Sequence, residues 1–364
     1  MPDDIQTLFE KANNYFYDKE YDTALKLFLE IIEKDKKNYL SLQKIAVIES
    51  DRKNNEKAIE YYEKSLEIND DDPNIWNDCG NVYFDIRDFD NSIRCYKKAI
   101  EIDEDYHWSY YNVGLSLTEQ HPQDKSKRDE AKDWFEKAIK IKSNYYPALN
   151  ELGLYYLDNG VVDKAENYFN LAIQSNREYK FPYYNLSKIA KDRGNIAEAK
   201  TFLKKAIKCD EKYIGALNNL GILYYDESDY DTAMYYYCKA LEIDTFYKYS
   251  LYNIGLIYDA KGQYKKSLEM FERALISDLN YSPAKKERDR LKDEFSKEIK
   301  EGVGIEDGDL KSESYKYKAK LNDVNDEPLI SNTHKNISTN KELTDTDTEE
   351  NELFSERFGR NLTK

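Results

Sequence analysis

Small side chains recur at a nearly constant interval along residues 1–281 of the chain. Successive members of the series are 34 residues apart, except for one step of 39. The series consists of Ala24, Ala58, Ser92, Ala131, Ala165, Ala199, Ala233 and Ser267. A period of this length is typical of stacked helix pairs, in which each unit buries its apolar face against its neighbours. The pattern therefore predicts an elongated array of helical units, which favours holding another polypeptide over catalysis.

Two further positions have a fixed character in each unit. With the recurring residue set at position 20, position 8 is small and position 24 is bulky throughout. Position 8 is occupied by Ala12, Ala46, Gly80, Gly114, Gly153, Ser187, Gly221 and Gly255. Position 24 is occupied by Phe28, Tyr62, Tyr96, Phe135, Phe169, Leu203, Tyr237 and Phe271. Because antiparallel helices approach to about 8–10 Å only where short side chains meet, we expect two helices per unit that cross at the small positions.

A turn is predicted between the two helices of each unit. Gly160, Gly194 and Gly262 fall at position 15, where a left-handed backbone conformation at a helix end suits glycine. The fourth unit has extra residues between Gln120 and Glu130, which account for its longer step. They are polar and partly basic, and we expect them to form a longer exposed loop.

The pattern changes after Tyr281. Ser282 and Pro283 have the character of an N-cap and a first helical residue. A narrow apolar stripe of Leu291, Phe295 and Ile299 then predicts a terminal helix with one buried face, over residues 282–300. Residues 301–364 show no periodicity and carry 15 acidic against 9 basic side chains. They predict a disordered acidic tail.

The repeating pattern resembles that of the tetratricopeptide repeat family. The third unit carries a close match to the family pattern in Trp76, Cys79, Gly80, Tyr83, Ser92, Tyr96 and Ala99. The family's proline near position 32 is missing, and Glu49 replaces the usual aromatic residue at position 11 of the second unit. The resemblance implies an all-α fold, a right-handed superhelical α-solenoid of eight helix-turn-helix units with a C-terminal capping helix. The predicted units are residues 5–38, 39–72, 73–106, 107–145, 146–179, 180–213, 214–247 and 248–281.

The net charge of −16 changes the range of expected partners. It argues against nucleic acid and anionic membrane surfaces, both of which attract clustered Lys and Arg, and it favours positively charged partners. The first residues show no basic segment followed by an apolar one, and no apolar run approaches the length of a membrane span. We therefore expect no membrane insertion and a cytoplasmic location.

The resemblance also implies that the first helix of each unit faces a concave channel. Position 6 would line this channel and holds an asparagine in four units: Asn112, Asn185, Asn219 and Asn253. A side-chain amide can donate to and accept from the backbone of an extended peptide, so these residues are candidate peptide contacts. Two observations oppose this interpretation. Asparagine is common at this site of the repeat, and Glu10, Lys44, Asp78 and Glu151 interrupt the series.

Acidic and aromatic residues flank the asparagines. Position 13 carries an acid in six consecutive units: Asp51, Asp85, Glu119, Asp158, Asp192 and Asp226. A helix dipole disfavours negative charge in this last turn, so the series indicates either a stripe for a basic ligand or a solvated face. Position 5 holds Tyr111, Tyr184 and Tyr252, which are candidate anchors or packing residues between units.

No arrangement of residues typical of catalysis is found. His107 opens a unit, His121 lies among the extra residues of the fourth unit and His334 lies in the tail, and none is part of a metal-binding or nucleophile pattern. No Cys-x-x-Cys pair or glycine-rich phosphate loop occurs. We therefore expect no enzymatic activity, cofactor or metal.

The preferred function is a scaffold that binds an extended, basic segment of a partner protein. One alternative is a self-regulated adaptor whose residues 354–364, with Phe354, Phe358 and Leu362 beside Arg357 and Arg360, occupy its own groove. A second alternative is a non-catalytic regulatory subunit of an enzyme complex.

Overall fold

A computed structural model describes residues 3–300 of the chain, with side chains over residues 4–294. This part contains 17 helices and no strand, which confirms the predicted all-α class. None of these helices has both the length and the apolar character needed to cross a bilayer. The predicted tail over residues 301–364, the self-contact by residues 354–364, and the side chains of Phe295 and Ile299 lie outside the described residues.

The helices alternate between a first and a second helix of each unit. The first helices are α1 (Asp3–Tyr17), α3 (Tyr39–Asp51), α5 (Pro73–Asp85), α7 (His107–Gln120), α9 (Tyr146–Asp158), α11 (Lys180–Asp192), α13 (Ile214–Asp226) and α15 (Lys248–Ala260). The second helices are α2 (Tyr21–Lys34), α4 (Asn55–Ile68), α6 (Phe89–Ile102), α8 (Lys125–Ile141), α10 (Val162–Ser175), α12 (Ile196–Cys209), α14 (Tyr230–Ile243) and α16 (Tyr264–Ser277). The last helix, α17, spans Ser282–Lys300. The division into eight repeats is a proposal, and the position numbers refer to places within a repeat.

The described chain divides into two compact units, and the boundary between them along the sequence falls within α11. Residues up to Ile189 belong to the first and residues from Ala190 to the second. In the first, each helix from α1 to α10 packs against the next, and α5 also contacts α3 and α7. In the second, the helices from α12 to α17 pack in the same consecutive order, and α13 contacts α15. First helices of successive repeats therefore contact each other in both units.

In seven of the eight repeats the turn has a left-handed residue at position 15, whereas His121 holds that position in the fourth repeat with a φ of −134°. Gly160, Gly194 and Gly262 have φ angles of 73°, 79° and 68° there, as expected. In four other repeats a residue with a side chain adopts the same backbone conformation, with φ between 60° and 63°: Lys19, Lys53, Arg87 and Ser228. A left-handed conformation costs a residue with a side chain roughly 1–2 kcal/mol, so the packing of the two helices imposes this turn even without glycine.

The fourth repeat departs from the expected long loop, and that prediction is wrong. Its additional residues mainly lengthen α8, which has 17 residues where α6 has 14. The Asp124 side chain caps this helix by accepting hydrogen bonds from the backbone N–H groups of Ser126 and Lys127. Lys127 pairs with Glu130 one turn later at 2.9 Å. The polar segment is compatible with helix, and it extends the second helix because a cap is available at its start.

The two helices of a repeat meet at a glycine that faces an aromatic ring. A methyl carbon added at Gly221 would lie 2.5 Å from Cε1 of Tyr237, and one at Gly153 would lie 2.4 Å from Cε1 of Phe169. The same close approach joins Gly80 to Tyr96, Gly114 to Phe135 and Gly255 to Phe271. The sixth repeat has Ser187 at position 8 and the smaller Leu203 at position 24. The aromatic ring thus fills the space that the glycine leaves open.

We expect Gly221→Ala to destabilise the protein by about 1–3 kcal/mol, because the added methyl group would force the Tyr237 ring or the helix to move. Urea unfolding followed by circular dichroism measures this change. Ser187→Ala is the matched control because position 8 already carries a Cβ atom in that repeat, and it should cost clearly less. Equal losses in the two variants would contradict the proposed role of the glycine–ring contact.

Candidate functional site

All four position 6 asparagines lie on first helices, and Asn112, Asn185 and Asn253 donate hydrogen bonds to the preceding repeat, whereas Asn219 is half-buried on α13. Asn112 Nδ2 donates to Asn77 Oδ1 at 3.0 Å, and Asn185 Nδ2 donates to Asn150 Oδ1 at 3.2 Å. In the second compact unit, Asn253 Nδ2 donates to Asn218 Oδ1 at 3.2 Å. The spacing between donor and acceptor is 35 residues in each case. These amides therefore link the first helices of neighbouring repeats.

Serines at position 3 strengthen two of these links. Ser109 Oγ donates to Asn77 Oδ1 at 3.0 Å, and Ser250 Oγ donates to Asn218 Oδ1 at 3.1 Å. The acceptor oxygens of Asn77 and Asn218 thus each bind two donors from the following repeat. Asn77 and Asn218 are only 5% exposed, so these bonds form in a largely dry environment, where an unsatisfied donor is costly.

The acceptor asparagines were missed by the sequence analysis, although a signal for them exists. Position 5 alternates along the third to eighth repeats as Asn77, Tyr111, Asn150, Tyr184, Asn218 and Tyr252. Each asparagine of this series accepts from the position 6 asparagine of the next repeat, which itself follows a tyrosine. The alternation shows that the polar links recur once in every two repeats.

The predicted acidic residues differ in their surroundings. Asp158 is exposed and forms an ion pair with Arg128 of the lengthened α8. The carboxylate of Asp85 is mostly buried and lies 3.9 Å from Lys53 Nζ, and Glu119 is half-buried. Asp192 and Asp226 are exposed, and neither forms an ion pair within the described part of the chain. They are the last residues of α11 and α13, so both carboxylates reach solvent at a helix end.

The predicted tyrosine anchors are mainly packing residues. Tyr111 is fully buried, with its ring centroid 5.7 Å from that of Phe135 and 5.4 Å from that of Tyr145. Tyr184 is also buried. Tyr252 is half-buried between Phe271 and Tyr281, and this burial raises the pKa of its phenol. Tyr252 is therefore the most accessible member of this set.

One buried histidine has a strongly shifted protonation equilibrium. His107 begins α7, and its ring lies 3.9 Å from the Trp108 ring and 4.8 Å from the Tyr145 ring. Its Nε2 has no hydrogen-bond partner among the described residues. Burial, with a smaller effect of the Lys142 charge, lowers the pKa of His107 to about 4. The imidazole is thus neutral at pH 7 and serves packing.

The described residues contain no group of three or more His, Cys, Asp or Glu side chains arranged to hold a metal ion. The four cysteines are free thiols; Cys79 and Cys95 are buried and Cys238 is exposed. The chemistry that the described surface offers is therefore that of charges, amides and rings.

Family models match most of the repeats. A model described as "TPR repeat" matches residues 48–86 and 80–120, and one described as "Tetratricopeptide repeat" matches residues 146–179, 182–213, 214–247 and 249–280. These matches span more than half of the chain. No curated protein sequence matches it.

Solved structures show a similar fold. The crystal structure of the APC/C hetero-tetramer Cut9-Hcn1 aligns with 78% of this chain and 55% of its own, at 16% identity and a TM-score of 0.57. YrrB, described as a TPR protein with an unusual peptide-binding site, aligns with 52% of this chain and 95% of its own, at 22% identity and a TM-score of 0.40. MamA aligns with 46% and 94%, at 23% identity and a TM-score of 0.41. At these identities the likeness concerns the fold alone.

We expect Asn218→Ala to destabilise the protein by about 1–3 kcal/mol, because it leaves the buried Ser250 hydroxyl and the half-buried Asn253 amide without their acceptor. Urea unfolding measures the change. Asn280→Ala is the control, since Asn280 is exposed in the turn before α17 and should cost within about 0.5 kcal/mol. If both variants lost the same stability, the inter-repeat amide bonds would contribute nothing.

We also expect His107 to make stability dependent on pH. Its pKa is lower in the folded state than the ordinary value of 6.5, so unfolding takes up a proton and stability falls as the pH drops from 7 towards 4. Between pH 7 and pH 5 the contribution of this residue amounts to about 1–2 kcal/mol.

The measurement is urea unfolding at both pH values, followed through the fluorescence of the neighbouring Trp108. His107→Gln should lose less stability on acidification than the unsubstituted chain. The control His121→Gln keeps His107 and should retain the full loss. An identical pH dependence in all three chains would refute this assignment.

Proposed function

Because the chain belongs to the tetratricopeptide repeat family, we propose that it binds an extended, positively charged segment of another protein along the first helices of its repeats. Stacked repeats of this kind form extended surfaces for protein interaction. The proposal adds to that general role the charge of the ligand and the residues that contact it.

The observation that carries the proposal is the pair of exposed carboxylates at the ends of α11 and α13. Asp192 and Asp226 occupy the same position in successive repeats, and neither has a cationic partner among the described residues. A negative charge in the last turn of a helix is disfavoured by roughly 0.3–1 kcal/mol. A Lys or Arg of the ligand would offset this cost at both positions. The net charge of −16 would also draw a basic ligand towards the protein.

An aromatic ring beside one of these carboxylates supports the same ligand class. Tyr225 precedes Asp226, is half-buried, and its ring centroid lies 5.4 Å from that of Tyr230. A lysine or arginine that pairs with Asp226 could lay its stem or guanidinium against this ring. A carboxylate next to a ring therefore fits a basic residue better than an acidic or a purely apolar one.

We expect the double variant Asp192→Lys with Asp226→Lys to bind basic peptides about tenfold more weakly than the unsubstituted chain at low salt. The reason is that each substitution replaces an attraction by a repulsion at a ligand contact. The probe is an array of peptides of ten to fifteen residues, about a third of them Lys or Arg, and the best binder is then titrated by fluorescence anisotropy at two salt concentrations.

The control changes the same number of charges away from the first helices. Glu242→Lys with Glu269→Lys alters exposed positions on α14 and α16 and should reduce binding only slightly. Equal weakening in the two double variants would mean that net charge alone attracts the peptide. If the unsubstituted chain bound no basic peptide on the array, the proposed ligand class would be wrong.

A further inference from the structure

Four lysines lie on α12, in a protein whose overall charge is strongly negative. Lys200, Lys204 and Lys208 are spaced by four residues and Lys205 lies beside them, whereas Glu198 is the single acid of the helix. Lys212 continues the spacing in the turn that follows. Residues four apart are neighbours on a helix surface, so like charges at this spacing repel each other.

On several other helices, lysines pair with acidic residues three or four positions away instead. Lys34 pairs with Glu30, Lys64 with Glu60, and Lys98 with Glu101, each within one helical turn. On α12, Lys200 pairs at 2.5 Å with Glu227, the residue that follows the next first helix, α13. Lys204 and Lys208 are exposed and form no ion pair with any described residue. The helix dipole favours cations in the last turn, which accounts for Lys208 but not for Lys204.

Tyrosines border this row of lysines. Lys200 Nζ lies 3.8 Å and Lys204 Nζ 5.9 Å from the ring centroid of Tyr224, which stacks on the ring of Tyr236 at 5.7 Å. We call the surface formed by Lys204, Lys205, Lys208 and Lys212, with the half-buried Tyr224 ring beside Lys204, the lysine face. Cations next to a ring suit a ligand that offers both carboxylates and apolar side chains.

We propose that residues 342–352 of the same chain dock on the lysine face. This segment contains six acids and neither Lys nor Arg: Glu342, Asp345, Asp347, Glu349, Glu350 and Glu352. Leu343 near its start and Leu353 immediately after it provide apolar side chains. The charge complementarity is therefore between α12, which carries four lysines against one glutamate, and an acidic stretch of the remaining sequence that has no basic residue.

The connection between the two surfaces is long enough. Residues 301–341 join α17 to the acidic segment and could extend over at most about 140 Å. Helix α17 belongs to the same compact unit as α12. Covalent connection gives such a segment an effective concentration in the millimolar range, so a set of individually weak ion pairs suffices for docking. The same set of pairs makes the docking sensitive to salt.

The test is zero-length carbodiimide cross-linking of the full chain at low salt, followed by mass spectrometry. We expect links from Lys205 and Lys212 to acids of residues 342–352. Mixing isotopically light and heavy chains distinguishes links within one chain from links between two. In the variant Lys204→Glu with Lys208→Glu, which retains both reporting lysines, the yield of these links should fall about fivefold or more.

Two further double variants complete the test. Lys285→Glu with Lys286→Glu reverses two exposed lysines of α17, closer in sequence to the acidic segment, and should leave the yield within about twofold. Glu349→Lys with Glu350→Lys changes the segment and leaves α12 intact, so it should abolish the links even if the α12 variant fails to fold.

Two results would overturn the proposal. Equal losses in the α12 and α17 variants would show that the segment has no preference for the lysine face. Links exclusively between light and heavy chains would assign the lysine face to a second copy. Neither result bears on the binding of basic peptides by Asp192 and Asp226, because those residues lie on different helices and take no part in the proposed docking.

Discussion

The close approach of a glycine backbone to an aromatic ring sets the packing of the two helices in five of the eight repeats. Five repeats place the ring so close that a single added methyl group at position 8 would lie within 2.6 Å of it. The ring at position 24 fixes the distance between the two helices, and the small residue at position 20 completes the contact. Seven of the eight repeats also have a left-handed residue at position 15, and Lys53 and Arg87 adopt this conformation without being glycine. Local backbone preference therefore yields to helix packing.

Once the helix pair is fixed, the first helices of neighbouring repeats lie beside each other, and polar groups link them. The bond from Asn112 to Asn77 and that from Asn253 to Asn218 have the same geometry, although they lie in different compact units. Tyrosine takes position 5 in the repeats between, and Tyr111 packs against Phe135 there. From the third to the eighth repeat, asparagine and tyrosine thus alternate at position 5. The amide acceptor therefore recurs every two repeats, whereas the helix pair recurs in every repeat.

The sequence predicts the single-repeat period well because the packing rule acts within one repeat. The left-handed turn at Gly160 and the buried ring of Tyr237 both follow from residue size at fixed positions. The amide links were missed because each depends on a partner 35 residues away, which no pattern at one position reveals. The lengthened α8 was missed for another reason. Its polar residues fit a loop or a helix equally well, and the cap at Asp124 decides between them.

The distribution of charge relates the candidate surfaces to one another. Carboxylates lie at the ends of first helices such as α13, whereas lysines crowd one second helix, α12. Both arrangements are locally unfavourable. The carboxylates lie at the helix end where the dipole disfavours negative charge, and the lysines lie four residues apart, where like charges repel each other. Asp158 and Lys200 form ion pairs that link successive repeats. Asp192, Asp226, Lys204 and Lys208 form no ion pair with any described residue. Charged residues that are locally unfavourable and lie outside the contacts between helices are available to bind a ligand. Because the carboxylates lie on first helices and the lysines on a second helix, the two surfaces suit two ligands of opposite charge.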